Sequence, residues 1–332
     1  MTSNKDEIIQ LQMEVIEQMH RNNLRRLAGD LWGTPSTTSA VTEENKKEET
    51  KAEKIQTSPQ EKPEDIKDLL TELNDYIGLE SIKEEVNGLI NLVKIQKLRK
   101  ENSLPVKDLT LHMVFTGNPG TGKTMIARLM SRIYKSLGLL SKGQLVEVDR
   151  SGLVAGYVGQ TALKTSEILE KASGGVLFID EAYALTNRGD NDFGQEAVDT
   201  LLKAMEDNRN DLIVIVAGYT KPMEQFISSN SGLESRFNRF LHFPDYSVDE
   251  LLAILHLKAK QSGYELSEDA IDSVKSMLAL GALTPESFGN ARGVRNILEH
   301  AVSAQANRLS QLENITKEDL LLLTREDFQP QL

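Results

Sequence analysis

Residues 117–124 read Gly-Asn-Pro-Gly-Thr-Gly-Lys-Thr, and this stretch restricts the fold more than any other. An apolar run from Leu111 to Phe115 precedes it, and Met125, Ile126, Leu129, Met130 and Ile133 follow at helical spacing. Strand, glycine-rich turn and helix is the setting in which G-x-x-x-x-G-K-[ST] forms a phosphate-binding loop. Glycines let backbone N–H groups close around a β-phosphate, where a Cβ would block both the turn and the approach. Asn118, Pro119, Gly120, Thr121 and Gly122 would line that loop, Lys123 would reach the β- and γ-phosphates, and the Thr124 hydroxyl is a ligand for Mg²⁺. The helix N-terminus adds its dipole to the anion site. The pattern implies nucleotide binding.

From residue 111 onward strand and helix alternate, which marks a parallel sheet covered on both faces. Strands are expected at 111–116, 144–149, 175–180, 212–218 and 240–243, and the central ones are continuously apolar, as buried parallel strands should be. Helices are expected before them at 63–74 and 81–102. After Pro244 the pattern reads as purely helical, at 248–262, 267–280, 291–309 and 316–323. An α/β nucleotide-binding domain over 66–245 is therefore followed by a small all-helical one over 246–332.

Upstream, Ile8, Leu11, Val15 and Met19 place an amphipathic helix within 1–32, ending at Trp32, whose apolar face must bury against a partner, a neighbouring subunit or the main domain. Residues 33–65 are rich in Pro, Ser, Thr, Glu and Lys without aromatics, so disorder is expected there. The net charge of −12 argues against a surface that coats nucleic acid. The chain has no cysteine, which excludes disulfide and thiol chemistry and fits a reducing compartment. The N-terminus lacks a secretory pattern, and no stretch approaches the roughly 20 apolar residues of a membrane span. A cytoplasmic protein is expected.

Three further stretches carry chemistry. Residues 176–181, Val-Leu-Phe-Ile-Asp-Glu, form an apolar strand ending in two carboxylates. Asp180 is suited to hold Mg²⁺, and Glu181 to polarise an attacking water as general base, so hydrolysis is implied. Arginines that neutralise a γ-phosphate in the transition state have candidates in Arg236 and Arg239, at the end of the α/β domain, and in Arg292, at the start of a lid helix. The loop at 152–161 sets Tyr157 and Val158 among glycines. Such a tyrosine either grips another chain or folds back on its own domain.

Together these residues resemble the AAA+ ATPases. The wording at 111–124, 146–161, 174–185, 191–207 and 237–246 is similar to the CbxX/CfxQ group, which includes red-type Rubisco activase and the stage V sporulation protein K type. The likeness spans about 66–325. It implies a P-loop NTPase parallel sheet as the AAA+ large domain, with a helical lid. Ile77 and Gly78 would lie against adenine. Arg292 would be the sensor-2 arginine, and Arg236 the finger reaching into a neighbour's site, with Arg239 second. Tyr157, Val158 and Gly159 match the pore loop that pulls a client through a ring. Sensor 1 departs from the usual Asn or Thr and falls on Tyr219 or Thr220, since the strand ends Ala217-Gly218-Tyr219-Thr220.

The expectation is an ATP- and Mg²⁺-dependent homo-oligomer, a hexameric ring that remodels a protein client, with Rubisco or a sporulation or carbon-metabolism enzyme as examples. An ATP-timed adaptor recruiting its partner through the N-terminal helix is the second reading. A nucleic-acid motor is the third, disfavoured by the acidic balance and the uncharged pore loop.

Overall fold

A computed structural model describes residues 64–106, 110–157, 159–186, 193–279 and 288–329. The expected helix at 5–32, the linker up to residue 63 and Val158 lie outside the described residues. In chain order the α/β part comprises α1 (Ile66–Asp75), α2 (Glu80–Glu101), β1 (Met113–Gly117), α3 (Lys123–Ser136), β2 (Leu145–Val148), α4 (Arg150–Leu153), α5 (Thr161–Ala172), β3 (Val176–Ile179), a 3-10 turn (Ala182–Thr186), α6 (Gly194–Asp207), β4 (Ile213–Gly218), α7 (Thr220–Ser228), α8 (Ser231–Arg236) and β5 (Arg239–Phe243). The lid follows as α9 (Val248–Gln261), β6 (Glu265–Leu266), α10 (Glu268–Ala279), α11 (Asn290–Leu309), α12 (Lys317–Leu321), β7 (Leu322–Leu323) and a final 3-10 turn (Arg325–Phe328). Among the described residues no helix is long and apolar enough to cross a membrane.

The five strands run in the order β2-β3-β4-β1-β5, each pair parallel. β1, β3 and β4 are buried along their whole length, which explains their unbroken apolar sequences. Successive side chains alternate between two cores. Met113, Phe115, Phe178 and Ile215 meet Leu69, Ile82, Ile126 and Ile133 on one face. Val114, Leu177 and Val216 meet Leu201, Met205 and Phe226 on the other. His112 fastens the sheet where β1 begins: its Nδ1 accepts from the Val214 N–H at 3.0 Å. Burial, and then the charge of Arg236, push its pKa down to about 4, so this imidazole is neutral at ordinary pH.

The lid corrects one expectation. It is not purely helical, because Glu265 and Leu266 pair in parallel with Leu322 and Leu323. The expected helix at 316–323 starts where it should, with Thr316 and Asp319 forming a reciprocal cap. It stops at Leu321 because Gln305 Nε2 draws off the Asp319 and Leu322 carbonyls at 3.0 and 2.9 Å, while Leu323 turns inward to full burial.

The lid closes on Arg308 and Asp327, whose side chains pair twice, at 2.9 and 2.8 Å, with the carboxylate 1% exposed. Burial alone would raise the Asp327 pKa, but Arg308 and the Thr324 N–H outweigh it and hold the carboxyl below its usual range. A depressed carboxyl stabilises the fold above its unfolded value of about 4, and that contribution is lost as pH falls through the folded value. Arg308→Ala is expected to destabilise the lid by about 2–4 kcal/mol, by stranding a buried carboxylate. Urea melts followed at pH 7 and pH 3 should show the variant penalty shrinking at the lower pH.

Candidate active site

Parallel strands bring their carboxyl ends to one edge of the sheet, where ligands of such sheets bind. Register places Thr116 opposite Gly218, Ile179 opposite Val216 and Gly117 opposite Phe243. The loop after β1, the carboxylates after β3 and Tyr219 after β4 thus share one rim.

The loop itself is wound by glycines at φ +146° (Gly117), +75° (Gly120) and +95° (Gly122). Gly120 also has no room for a side chain, since a Cβ there would sit 2.2 Å from the Gly289 carbonyl of the lid. Lys123 opens α3 and its ammonium donates to the Gly117 and Asn118 carbonyls at 2.8 and 2.7 Å. Burial lowers its pKa, and Arg292 lowers it further, against the opposing pull of Asp180, Asp245 and Glu181. Those groups therefore converge electrostatically on one lysine. Thr121 is fully buried and donates to the Asn118 carbonyl at 2.8 Å, while Thr124 stays partly accessible.

Asp180 is partly exposed, and its carboxylate accepts from the Glu181 N–H at 3.0 Å. Glu181 leaves the strand with φ +48°, an uncommon backbone for a residue with a Cβ, and its side chain is exposed. Hydroxyl and carboxylate oxygens at Thr124 and Asp180 suit Mg²⁺, which takes one or two protein ligands beside phosphate oxygens and water. Among the described residues, no group of three or more His, Cys, Asp or Glu is placed to hold a metal ion.

Two residues that sequence reasoning left without roles join the loop to the lid. Asp245 accepts from Asn118 Nδ2 at 3.0 and 2.9 Å and from Asn290 Nδ2 at 2.8 Å. Asn290 is fully buried at φ +53°, accepts from the Tyr246 N–H at 3.0 Å and donates weakly to the Pro119 carbonyl at 3.3 Å. The Ala291 N–H adds a bond to the Gly120 carbonyl at 3.2 Å, so the lid helix begins on the loop. Asparagine tolerates the left-handed backbone better than most residues, and that was the one signal in the sequence. Tyr246, its pKa raised to about 12 by burial and then by Glu250, lies against the same loop.

Gly78 (φ +64°) and Leu79 (φ +62°) form a tight left-handed turn, and a Cβ on Gly78 would strike the Glu250 carboxylate. Leu79 Cδ1 lies near Gly122, so Ile77 and Gly78 are brought beside the loop. Thr220 opens α7, and Arg292 is exposed in the first turn of α11.

Arg236 and Arg239 are not part of this rim. Arg239 pairs in register with Met113, four residues and about 13 Å along the strand from Gly117. Its Nε donates to the Thr110 carbonyl at 3.2 Å. Arg236 pairs with Glu206 at 3.1 Å, and its buried Nε has no hydrogen-bond partner among the described residues. Tyr157 is 73% exposed. The loop carrying it is pinned at its base by α5: Thr161 Oγ1 accepts from the Ala155 N–H at 3.1 Å, and Thr165 donates to the Leu153 carbonyl at 3.1 Å. Gly159 follows at φ +76°.

Residues 113–245 match the family described as "ATPase family associated with various cellular activities (AAA)", and residues 247–332 match its lid domain. Stage V sporulation protein K of Bacillus subtilis (strain 168) is 41% identical over 79% of this chain and 82% of its own length. Protein CbbX of Cereibacter sphaeroides is 45% identical over 73% and 79%. A CfxQ homolog of Galdieria sulphuraria is 42% identical over 87% and 97%. Among solved structures, the FIGL-1 AAA domain superposes with a TM-score of 0.53 at 18% identity, covering 77% of this chain and 80% of that one, a likeness of fold. The chain is an AAA ATPase with an AAA lid, and it belongs with the CbxX/CfxQ proteins and stage V sporulation protein K.

Proposed function

We propose that the chain assembles into a homo-oligomeric ring, a hexamer, and spends ATP on pulling a segment of a client protein with its Tyr157 loops. The exposure of Tyr157, on a loop whose base is held by α5, carries this reading. A tyrosine pinned at its backbone yet free at its ring is shaped to press on a passing chain. The client would be an assembled enzyme, such as Rubisco or a sporulation-related protein.

In this reading Ile77 and Gly78 border the adenine, and residues 118 and 120–122 offer N–H groups to the phosphates. Lys123 leaves its carbonyl partners for phosphate oxygens. Thr124 and Asp180 would hold Mg²⁺, which would offset the charge of the phosphates. Glu181 takes the proton of the attacking water. Arg292 contacts the γ-phosphate from its own lid, and Thr220 or Tyr219 senses that phosphate from the end of β4. Arg236 supplies the finger to the neighbouring protomer. It is preferred over Arg239 because its partner, Glu206, is a largely exposed side chain, whereas Arg239 is tied to the Thr110 carbonyl of its own backbone. The distance of both from their own loop supports action in trans.

A trap tests the function. Glu181→Gln loaded with ATP should retain a client from lysate of the source organism, and adding Tyr157→Ala should release it. Capture that survives Tyr157→Ala but requires residues 1–62 would favour the adaptor. Capture of nucleic acid would overturn the client reading.

A further inference from the structure

Glu206 has been given no role of its own, yet it holds the head of Arg236. Among the described residues the guanidinium has a single hydrogen-bond partner: Nη2 donates to Glu206 Oε2 at 3.1 Å. The two residues stand 30 positions apart, at the ends of α6 and α8. Both backbones are fixed by the core. Met205, beside Glu206, and Phe237, beside Arg236, are buried in the same cluster as Leu233. Asn230 caps the start of α8 by accepting from the Gly232 N–H at 2.7 Å. The Phe237 N–H closes the other end on the Leu233 carbonyl at 2.9 Å. The side chains are freer. Arg236 borders a cavity of about 270 Å³ shared with Thr110, His112 and Ser235, so close packing does not hold it on that side.

We infer that Glu206 is a positioning residue for the arginine finger, its carboxylate fixing the direction of the Arg236 guanidinium. A pair whose carboxylate is largely exposed adds little to stability, since water competes for the charge and ordering two long side chains costs entropy. Its effect is on direction instead. A guanidinium carries five N–H donors in a flat fork, and the bond from Nη2 leaves Nη1 open for a phosphate oxygen. Without the carboxylate, Arg236 would turn through several rotamers beside the cavity and spend less time aimed at the neighbouring site. Because the core sets the ends of α6 and α8, the pair is in place before a neighbour arrives. This deepens the reading of Arg236 as the finger and rests on it.

Glu206→Ala removes the carboxylate and leaves Arg236 in place. It should lower kcat about tenfold while leaving KM for ATP within about twofold, since the group acts through the finger and not on the nucleotide. Glu206→Gln keeps an oxygen able to accept the bond from Nη2, so it should recover to within about threefold of wild type. Placed on Arg236→Ala in single-turnover assays, Glu206→Ala should cost less than about twofold, because no guanidinium remains to be aimed. Wild-type or raised kcat in Glu206→Ala overturns the inference, as does a Glu206→Gln variant no better than Glu206→Ala. An equal fold-loss with and without Arg236 also overturns it, by marking a purely structural carboxylate. Failure of the underlying reading shows separately, as unimpaired turnover in Arg236→Ala alone.

Discussion

Replacing Glu181 with glutamine is expected to slow ATP turnover at least about a hundredfold while leaving ATP bound, as befits loss of a general base. Glutamine keeps the length and the polar end but cannot take a proton. The groups proposed to hold the nucleotide lie elsewhere: Lys123 and Thr124 at the start of α3, and Asp180 one residue back. Equilibrium binding of labelled ATP should therefore change by less than about threefold, while phosphate release falls to near background. The left-handed backbone at Glu181 is unaffected, since glutamine meets the same steric limits there. Turnover within tenfold of wild type would remove Glu181 from the mechanism.

Removing Arg236 should have a comparable or larger effect, about a thousandfold on kcat, if it neutralises the γ-phosphate of a neighbour. Arg236→Ala and Glu181→Gln injure different halves of a shared site, so the two variants should complement when mixed. In random rings of equal amounts, about a quarter of the interfaces join an intact Glu181 to an intact Arg236. Recovery of activity on mixing is the expected result, measured as phosphate release per protomer. An arginine acting within its own protomer would leave every mixed site defective, and no activity would return. Arg239→Ala serves as the comparison, with the smaller loss expected because its Nε is committed to Thr110.

The large domain was legible because its signals are local and mutually consistent. Apolar runs mark β1, β3 and β4, and each expected strand overlaps the one observed. The motifs at 117–124 and 176–181 also carry their own setting, strand before loop and strand before carboxylates. β7 was not legible, because Leu320–Leu323 reads equally as a last helical turn, and what ends the helix is Gln305 from another element. Asp245 and Asn290 were not legible for a related reason. Their roles arise from strand ends brought together by the fold, as when Asp245 meets Asn118 across 127 positions of sequence. No spacing rule encodes such a meeting. The proposed choice between Arg236 and Arg239 likewise turns on their partners, Glu206 and the Thr110 carbonyl, which only the fold brings to them.

The carboxylate of Asp245 is shared by Asn118 in the phosphate loop and Asn290 in the lid. Hydrogen bonds to a charged group are each worth roughly 1.5–3 kcal/mol. A lid that swings away must first give up the bond from Asn290, leaving Asp245 to Asn118 alone and freeing the left-handed Asn290 from the Tyr246 backbone. The junction is a shared fastening: the carboxylate that holds the start of the lid helix is the same one that holds Asn118 of the loop.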